Sequence, residues 1–332
     1  MPYPSYARLT DQDVAALYAY FMHGVTTVQT DPVPNPSLRW LVTFWRKLFA
    51  PNPDKVAFDP NRCADATVAR GAYLVQGAGH CGSCHTPRAL TMQAKALDES
   101  GPAFLSGGVD LEGWIAINLR GNEAGGMGLW SAQDIVDSLK TGRNPHAAVV
   151  GPPMSLVTAH SMQYLSDEDL HAIAAYVKTL PASAGDQVGF APSDATAKLL
   201  QAGVNDSHGA ELYVDNCAGC HRSDAQGYSR VFPTLAGNPT VLSADPHSLV
   251  HLILAGSAIP VTQAMPSPLG MPGFAWRLSD EEVAQLATYV RTEWGNTAPP
   301  VGAETARKIR AQLSPAEQAA IAQAAHQTTR QP

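Results

Sequence analysis

The sequence predicts an all-α chain built from two similar small units in tandem, preceded by part of a third. Three observations predict it. Cys-x-x-Cys-His occurs twice, as Cys81-Gly82-Ser83-Cys84-His85 and Cys217-Ala218-Gly219-Cys220-His221. One helix-start signature occurs three times, as Leu9-Thr10-Asp11-Gln12-Asp13, Leu165-Ser166-Asp167-Glu168-Asp169 and Leu278-Ser279-Asp280-Glu281-Glu282. Behind each start runs an apolar stripe of helical period.

The helix starts explain themselves chemically. A Ser or Thr stands at each N-cap with an acidic residue three later, a variant of the capping box. The acidic first turn also suits the positive end of the helix dipole. The stripes are Val14, Leu17, Tyr18, Phe21, then Leu170, Ile173, Ala174, Val177, then Val283, Leu286, Ala287, Val290. A tyrosine recurs at one offset from each cap, as Tyr20, Tyr176 and Tyr289. These are three copies of one closing helix. Leading helices are predicted at Arg70-Gly71-Ala72-Tyr73-Leu74 and His208-Gly209-Ala210-Glu211-Leu212-Tyr213. In each, a small residue would let the helix cross closely over its closing helix.

The repeated cysteine motif points to covalent haem. Two cysteines three apart lie on neighbouring positions of one helical turn, so both thiols can reach the two vinyl groups of one porphyrin. The following histidine then sits under the iron. Cys81, Cys84, Cys217 and Cys220 are therefore the expected attachment points, and His85 and His221 the proximal ligands. A zinc site pairing the two clusters is the weaker reading, because zinc ligands are usually spaced closely. Cys63 remains as a free thiol.

A methionine precedes each closing helix: Met1, Met154 and Met271. Thioether sulfur is a soft ligand for haem iron. Gly151-Pro152-Pro153-Met154 and Gly270-Met271-Pro272-Gly273 read as rigid loops able to aim a side chain. Met162 and Met265 compete with these two, and filling of the core is the alternative for any single methionine. His80, His146, His160, His171, His247 and His251 could serve as ligands or propionate partners. Individually each reads better as a surface or hydrogen-bonded residue. Arg88 could pair with a propionate.

The expected organisation follows. Residues 1–31 are the methionine and closing helix of a first domain, and 32–60 a linker. Residues 61–182 form a haem-bearing domain, 183–203 a linker, 204–297 a second haem-bearing domain, and 298–332 a tail. The rest of the first domain, with an export signal and a further Cys-x-x-Cys-His, is expected upstream of Met1. Within the first linker, Leu38 to Phe49 reads as a short helix. Arg39, Thr43, Arg46 and Lys47 form a polar strip on it, and Trp40, Leu41, Phe44, Trp45 and Leu48 lie among its apolar residues. That pattern fits interfacial contact with a membrane, or equally packing against a neighbouring domain or subunit. Ser314-Pro315-Ala316-Glu317 starts a last polar helix.

Composition narrows the function. A net charge of −7 argues against a nucleic-acid partner. No apolar run approaches the roughly 20 residues needed to span a bilayer. No constellation looks like an acid/base or nucleophile set, so the chemistry expected is the haem iron's.

Each complete unit reads leading helix, Cys-x-x-Cys-His, loops, methionine, closing helix, the order of a class I cytochrome c domain. The chain resembles the three-haem cytochrome c subunit of membrane-bound, quinone-linked dehydrogenases of acetic-acid and related bacteria. The resemblance covers nearly all of residues 1–297. It rests on the segments quoted above and on His160-Ser161-Met162-Gln163-Tyr164-Leu165, Pro233-Thr234-Leu235-Ala236-Gly237-Asn238-Pro239 and Met271-Pro272-Gly273-Phe274-Ala275-Trp276. It implies two haems c in this chain and a third in the full-length protein. It implies Met154 and Met271 as axial ligands, with Met1 serving the first haem. It also implies a subunit at the periplasmic side of the cytoplasmic membrane. That subunit would take electrons from a PQQ- or flavin-dependent catalytic subunit and deliver them to ubiquinone. A soluble two-haem carrier and a dihaem peroxidase are the alternatives, the latter disfavoured because both complete units offer a methionine.

Overall fold

A computed structural model describes residues 2–31, 39–50, 52, 56–108, 110–149, 151–184 and 188–328. Helices α1 (Tyr3–Tyr6) and α2 (Asp11–Ala19) come first, and α2 runs into a wide π-type turn at Tyr20–Gly24. After α3 (Arg39–Phe49), the first unit comprises α4 (Ala66–Gln76), α5 (Gly82–His85), α6 (Ala132–Thr141), α7 (Pro152–His160) and α8 (Asp167–Thr179). A hairpin of β1 (Asp110–Leu111) and β2 (Trp114–Ile115) lies between α5 and α6. The second unit comprises α9 (Ala195–Gln201), α10 (His208–Asn216), α11 (Ala218–His221), α12 (His247–Ala255), the hairpin β3 (Gly256–Ala258) and β4 (Gly270–Pro272), and α13 (Asp280–Thr292). Helices α14 (Ala303–Gln312) and α15 (Pro315–Thr328) follow. The two small antiparallel hairpins amend the all-α expectation.

The caps set these helix starts. Thr10, Ser166 and Ser279 each accept a hydrogen bond from the backbone N–H three residues on. Ser279 and Glu282 complete a reciprocal box, as do Ser131 and Asp134 at the start of α6. Each such cap stabilises its helix by about 1 kcal/mol. Gly142 ends α6 with φ +74°, the left-handed conformation that favours glycine.

Each unit has its own core. In the first, α4 packs across α8, burying Ala72, Val75, Leu170, Ile173, Tyr176 and Val177 with Phe104, Leu105 and Trp130. In the second, α10 packs across α13, burying Ala210, Tyr213, Val283, Leu286 and Val290 with Leu254 and Trp294. Full burial of one such aliphatic side chain is worth about 1.5–3 kcal/mol. Both crossings depend on glycine. A Cβ at Gly71 would lie 1.9 Å from the Ala172 carbonyl oxygen, and one at Gly209 would lie 2.9 Å from Tyr289 Cβ.

Buried arginines tie loops to each core. Arg120 donates to the carbonyls of Phe104 and Pro181, each at 2.9 Å. Arg291 donates to Pro299, Val241 and Ser243 carbonyls at 2.7–2.9 Å. Burial holds both guanidinium groups below their usual pKa.

Several expectations shift. The linker expected at 183–203 contains α9, whose Ala197 is buried in the second core. Thr196 donates to Glu293 at 2.5 Å there. The tail expected at 298–332 is also built in, since Val301, Ala306, Ile309 and Leu313 complete the same core. Arg310 pairs with Asp280 at 2.6 Å and donates to the Leu278 carbonyl. The first stripe behaves differently from its two copies. Val14, Leu17, Tyr18 and Phe21 are exposed, and no described residue covers them. The segment is held instead at its start: buried Arg8 donates to Gln76 at 2.7 Å and pairs with Asp98 at 3.1 Å. Residues 32–38 of the expected first linker lie outside the described residues.

The two units touch. Ile115 N–H donates to Ser248 Oγ at 2.8 Å, Arg143 donates to the Ser267 carbonyl at 2.5 Å, and Arg230 pairs with Asp137.

Candidate functional site

The first Cys-x-x-Cys-His motif opens on an apolar cavity of about 380 Å³. Helix α4 stops at Gly77, and a tight turn follows, with Gly79 and Cys81 N–H groups donating to the Leu74 and Val75 carbonyls. Cys81, Cys84 and His85 then lie on one helical turn, closed by a 2.9 Å bond from His85 N–H to the Cys81 carbonyl. All three line the cavity, together with Met154, Met162, Trp114, Ile173 and Val177.

The imidazole is prepared for a metal. His85 Nδ1 lies 2.8 Å from the Ile117 carbonyl oxygen, which can only accept. Nδ1 therefore carries the proton, and Nε2 keeps its lone pair. Burial holds the imidazole below its usual pKa, against the raising effect of that bond, so it is neutral near pH 7. His221 repeats the device, with Nδ1–H donating to the Pro233 carbonyl at 2.8 Å and burial lowering its pKa. A metal-bound histidine usually has its second nitrogen fixed in this way. The two carbonyls lie at different sequence distances from their histidines, 32 and 12 residues. No sequence signal marks them.

The motif thiols are shielded from solvent to different degrees, Cys217 being buried and Cys220 exposed. Burial pushes Cys81 and Cys217 up to about 12, and raises Cys84. Among the described residues, no group of three or more His, Cys, Asp and Glu converges as a metal cluster.

The methionines take positions that the loop reading did not anticipate. Met154 lies in the first turn of α7, behind Pro152 and Pro153, which suit the start of a helix. Met271 lies on β4, paired with Ser257. It lines an open cleft of about 850 Å³ with Trp114, Pro152, Gly256, Trp276 and Ile321. His85 and Met154 line one cavity, whereas the Cys217–His221 turn does not line the cleft beside Met271. Met162 is buried and lines the first cavity, which makes it a competitor of Met154 in space as well as in sequence. Met265 sits in a turn with Thr262. Met1 lies outside the described residues.

The secondary candidates are mostly engaged elsewhere. Arg88 donates to the Ser83 and Met92 carbonyls, bracing the motif turn. His146 lies over Trp130 and near Asp134, and His171 bonds to the Asp167 carbonyl. His251 is buried against Glu317 at 2.6 Å. His80 lines the first cavity. Cys63 is a free, half-buried thiol.

Paired thiols on one turn, a neutral imidazole with its Nε2 free, and a thioether in the same apolar cavity fit covalently bound haem. They define a c-type cytochrome. The cytochrome c family model matches residues 68–181 and 207–294, more than half the chain. The chain belongs to the cytochrome c family and, within it, groups with the cytochrome c subunits of dehydrogenases. It is 47% identical over 306 residues to the cytochrome c subunit of alcohol dehydrogenase (quinone) from Gluconacetobacter polyoxogenes, covering 90% of this chain and 65% of that one. It is 46% identical over 306 residues to the gluconate 2-dehydrogenase cytochrome c subunit of Pantoea cypripedii, covering 90% and 69%. With the fructose dehydrogenase cytochrome subunit of Gluconobacter japonicus the identity is 34% over 332 residues, covering 94% and 66%. The chain thus spans about two thirds of the length of these relatives.

Proposed function

We propose that this chain is an electron-carrying subunit with two haems c in tandem class I cytochrome c domains. His85 and Met154 would hold the iron of one haem, and His221 and Met271 that of the other. Electrons enter from a PQQ- or flavin-dependent dehydrogenase subunit and leave to ubiquinone, at the periplasmic side of the cytoplasmic membrane. A third haem, using Met1, belongs to the full-length protein. The observation that carries this reading is the first cavity, where both thiols, the oriented imidazole and Met154 meet apolar walls.

Haem supplies reversible one-electron chemistry when bound. The chain's own groups do the rest. Cys81 and Cys84 would hold the haem covalently, and the Ile117 carbonyl fixes the His85 ring and strengthens it as a donor. Val75, Ile135, Ile173 and Val177 exclude water.

The test is reconstitution. The haem-loaded chain, mixed with an alcohol, gluconate or a sugar, should stay oxidised. Addition of a quinone-linked dehydrogenase should reduce its haems in a substrate-dependent way, read from the α-band absorbance. Substrate oxidation by the chain alone would overturn the carrier reading.

The membrane surface is assigned to α3. Trp40, Leu41, Phe44 and Leu48 are exposed along it, Arg46 and Lys47 follow in its last turn, and Trp45 is pinned to the Thr91 carbonyl at 2.5 Å. Such a helix buries its apolar face in the headgroup region while its cations meet anionic lipid. Flotation with anionic vesicles should carry the chain upward, and serine at Trp40, Phe44 and Leu48 should abolish it. Unchanged flotation would transfer this helix to a protein interface.

A further inference from the structure

The loop that follows the first Cys-x-x-Cys-His motif carries two apolar side chains out into water. Arg88 bridges to Ala94, and the Ala89 N–H donates to the Gln93 carbonyl at 2.9 Å, so the chain folds back on itself as a short hairpin. Leu90 stands at its tip with a relative exposure of 104%, and Met92 beside it is 67% exposed. A single exposed leucine on a protein surface is ordinary. What sets this tip apart is how it is held.

One side of the tip is tied to the motif and the other to α3. Arg88 donates to the Met92 carbonyl at 3.2 Å and to the Ser83 carbonyl, inside the motif turn, at 2.9 Å. Trp45 Nε1–H donates to the Thr91 carbonyl at 2.5 Å. Leu41, Trp45 and Leu48 are spaced i, i+4 and i+7, one face of α3. The tip is therefore fastened to the same face whose Leu41 and Leu48 are exposed. Helix, tip and motif turn form one connected body, and Leu41, Leu48, Leu90 and Met92 are exposed apolar groups on it.

The charge around this body is positive, in a chain whose net charge is −7. Arg46 and Lys47 stand in the last turn of α3, and Arg88 and Lys95 flank the tip. Among the described residues none of these four stands in an ion pair. The next acids along the chain are already neutralised: Asp98 pairs with Arg8 and Arg62, and Glu99 with Arg62. We propose that the tip at Leu90 and Met92 is a second membrane contact, entering the headgroup region of an anionic bilayer beside α3. Apolar side chains leave water at that boundary while the cations meet lipid phosphate. Two connected points of contact fix the tilt of the chain, where α3 alone would leave it free to roll. They also bring the Cys81–His85 turn to the lipid surface, in which a quinone acceptor dissolves.

The inference rests on the membrane reading of α3, and one flotation series separates the two. The haem-loaded full chain is mixed with vesicles of phosphatidylcholine and phosphatidylglycerol, and haem absorbance gives the bound fraction over a range of lipid concentrations. Leu90→Ser/Met92→Ser should lower the partition coefficient at least about tenfold, with the haem spectrum unchanged. Leu90→Met/Met92→Leu only exchanges the two apolar chains and should float like the parent. Without vesicles, a quinone-linked dehydrogenase should reduce both variants at the parent rate. Parent-level flotation of the serine variant would overturn the proposal and leave α3 as the membrane contact. Flotation lost in the exchanged variant too would trace the effect to the shape of the loop, and would overturn it as well. A serine variant that floats but is no longer reduced by the dehydrogenase would make the tip a protein contact instead. A parent chain that does not float removes the membrane reading of α3, and this proposal with it.

Discussion

Met154→Ala is expected to convert one six-coordinate, low-spin haem into a species that binds carbon monoxide when reduced, and Met271→Ala to do the same to the other. Loss of the soft thioether opens the sixth position and lowers the potential. The shift falls within the span of about 0.8 V that axial ligands cover in haem proteins. The two variants should differ in one respect. Met162 is buried in the same cavity as Met154 and can supply a second sulfur, whereas Met265 does not line the cleft beside Met271. Partial retention of the low-spin spectrum in Met154→Ala should therefore vanish in Met154→Ala/Met162→Ala. Optical spectra with and without carbon monoxide, and redox titration, read all of this. Unchanged spectra in both single variants would show that other side chains hold the irons.

The largest effect on stability is expected at Gly71. A methyl there would press to 1.9 Å from the Ala172 carbonyl oxygen and 2.8 Å from Tyr176 Cβ, and backbone cannot swing aside as a side-chain tip can. The α4–α8 crossing must open, and with it the wall that Val75, Ile173 and Val177 give the first cavity. Overpacking of this kind costs about 1–3 kcal/mol and occasionally more, and Gly71→Ala belongs at or above the upper end. Gly209→Ala meets Tyr289 Cβ at 2.9 Å and the Gln285 carbonyl oxygen at 3.1 Å, so it should cost less. Denaturant unfolding of the haem-loaded chain, followed through the Soret band, gives both values. Equal losses at the two glycines would refute this account of the crossings.

Much of this was legible in the residues because the signals are local. Caps at Thr10, Ser166 and Ser279 depend on one side chain and a backbone N–H three residues away, and the structure forms all three. Gly71 and Gly209 were readable as close-crossing points because a small residue recurs at one place in each leading helix. The unreadable parts are non-local or too short for a period. Strands of two and three residues carry no alternation to detect, so the residues around Met271 predict a loop and those around Trp114 predict no element. The carbonyls of Ile117 and Pro233 carry no side-chain signature at all. Helix α9 and residues 301–313 looked like linker and tail because small and polar residues dominate them. Only the packed core shows that Ala197, Ala306 and Ile309 are inside. The stripe at Val14, Leu17, Tyr18 and Phe21 has the right period for burial, and period alone does not supply a partner.

The first cavity borrows part of its wall. Asn238, Pro239, Thr240 and Ser248 belong to the second unit yet line the space around His85 and Met154. A haem in that space would thus have surroundings that depend on how the two units sit together. Thermodynamic reciprocity then leaves no freedom. Whatever factor separates the docking affinity of the units between the reduced and the oxidised form must reappear, in full, as a displacement of the midpoint of that haem on docking. Its potential belongs to the pair of units, and residues 61–182 alone do not determine it.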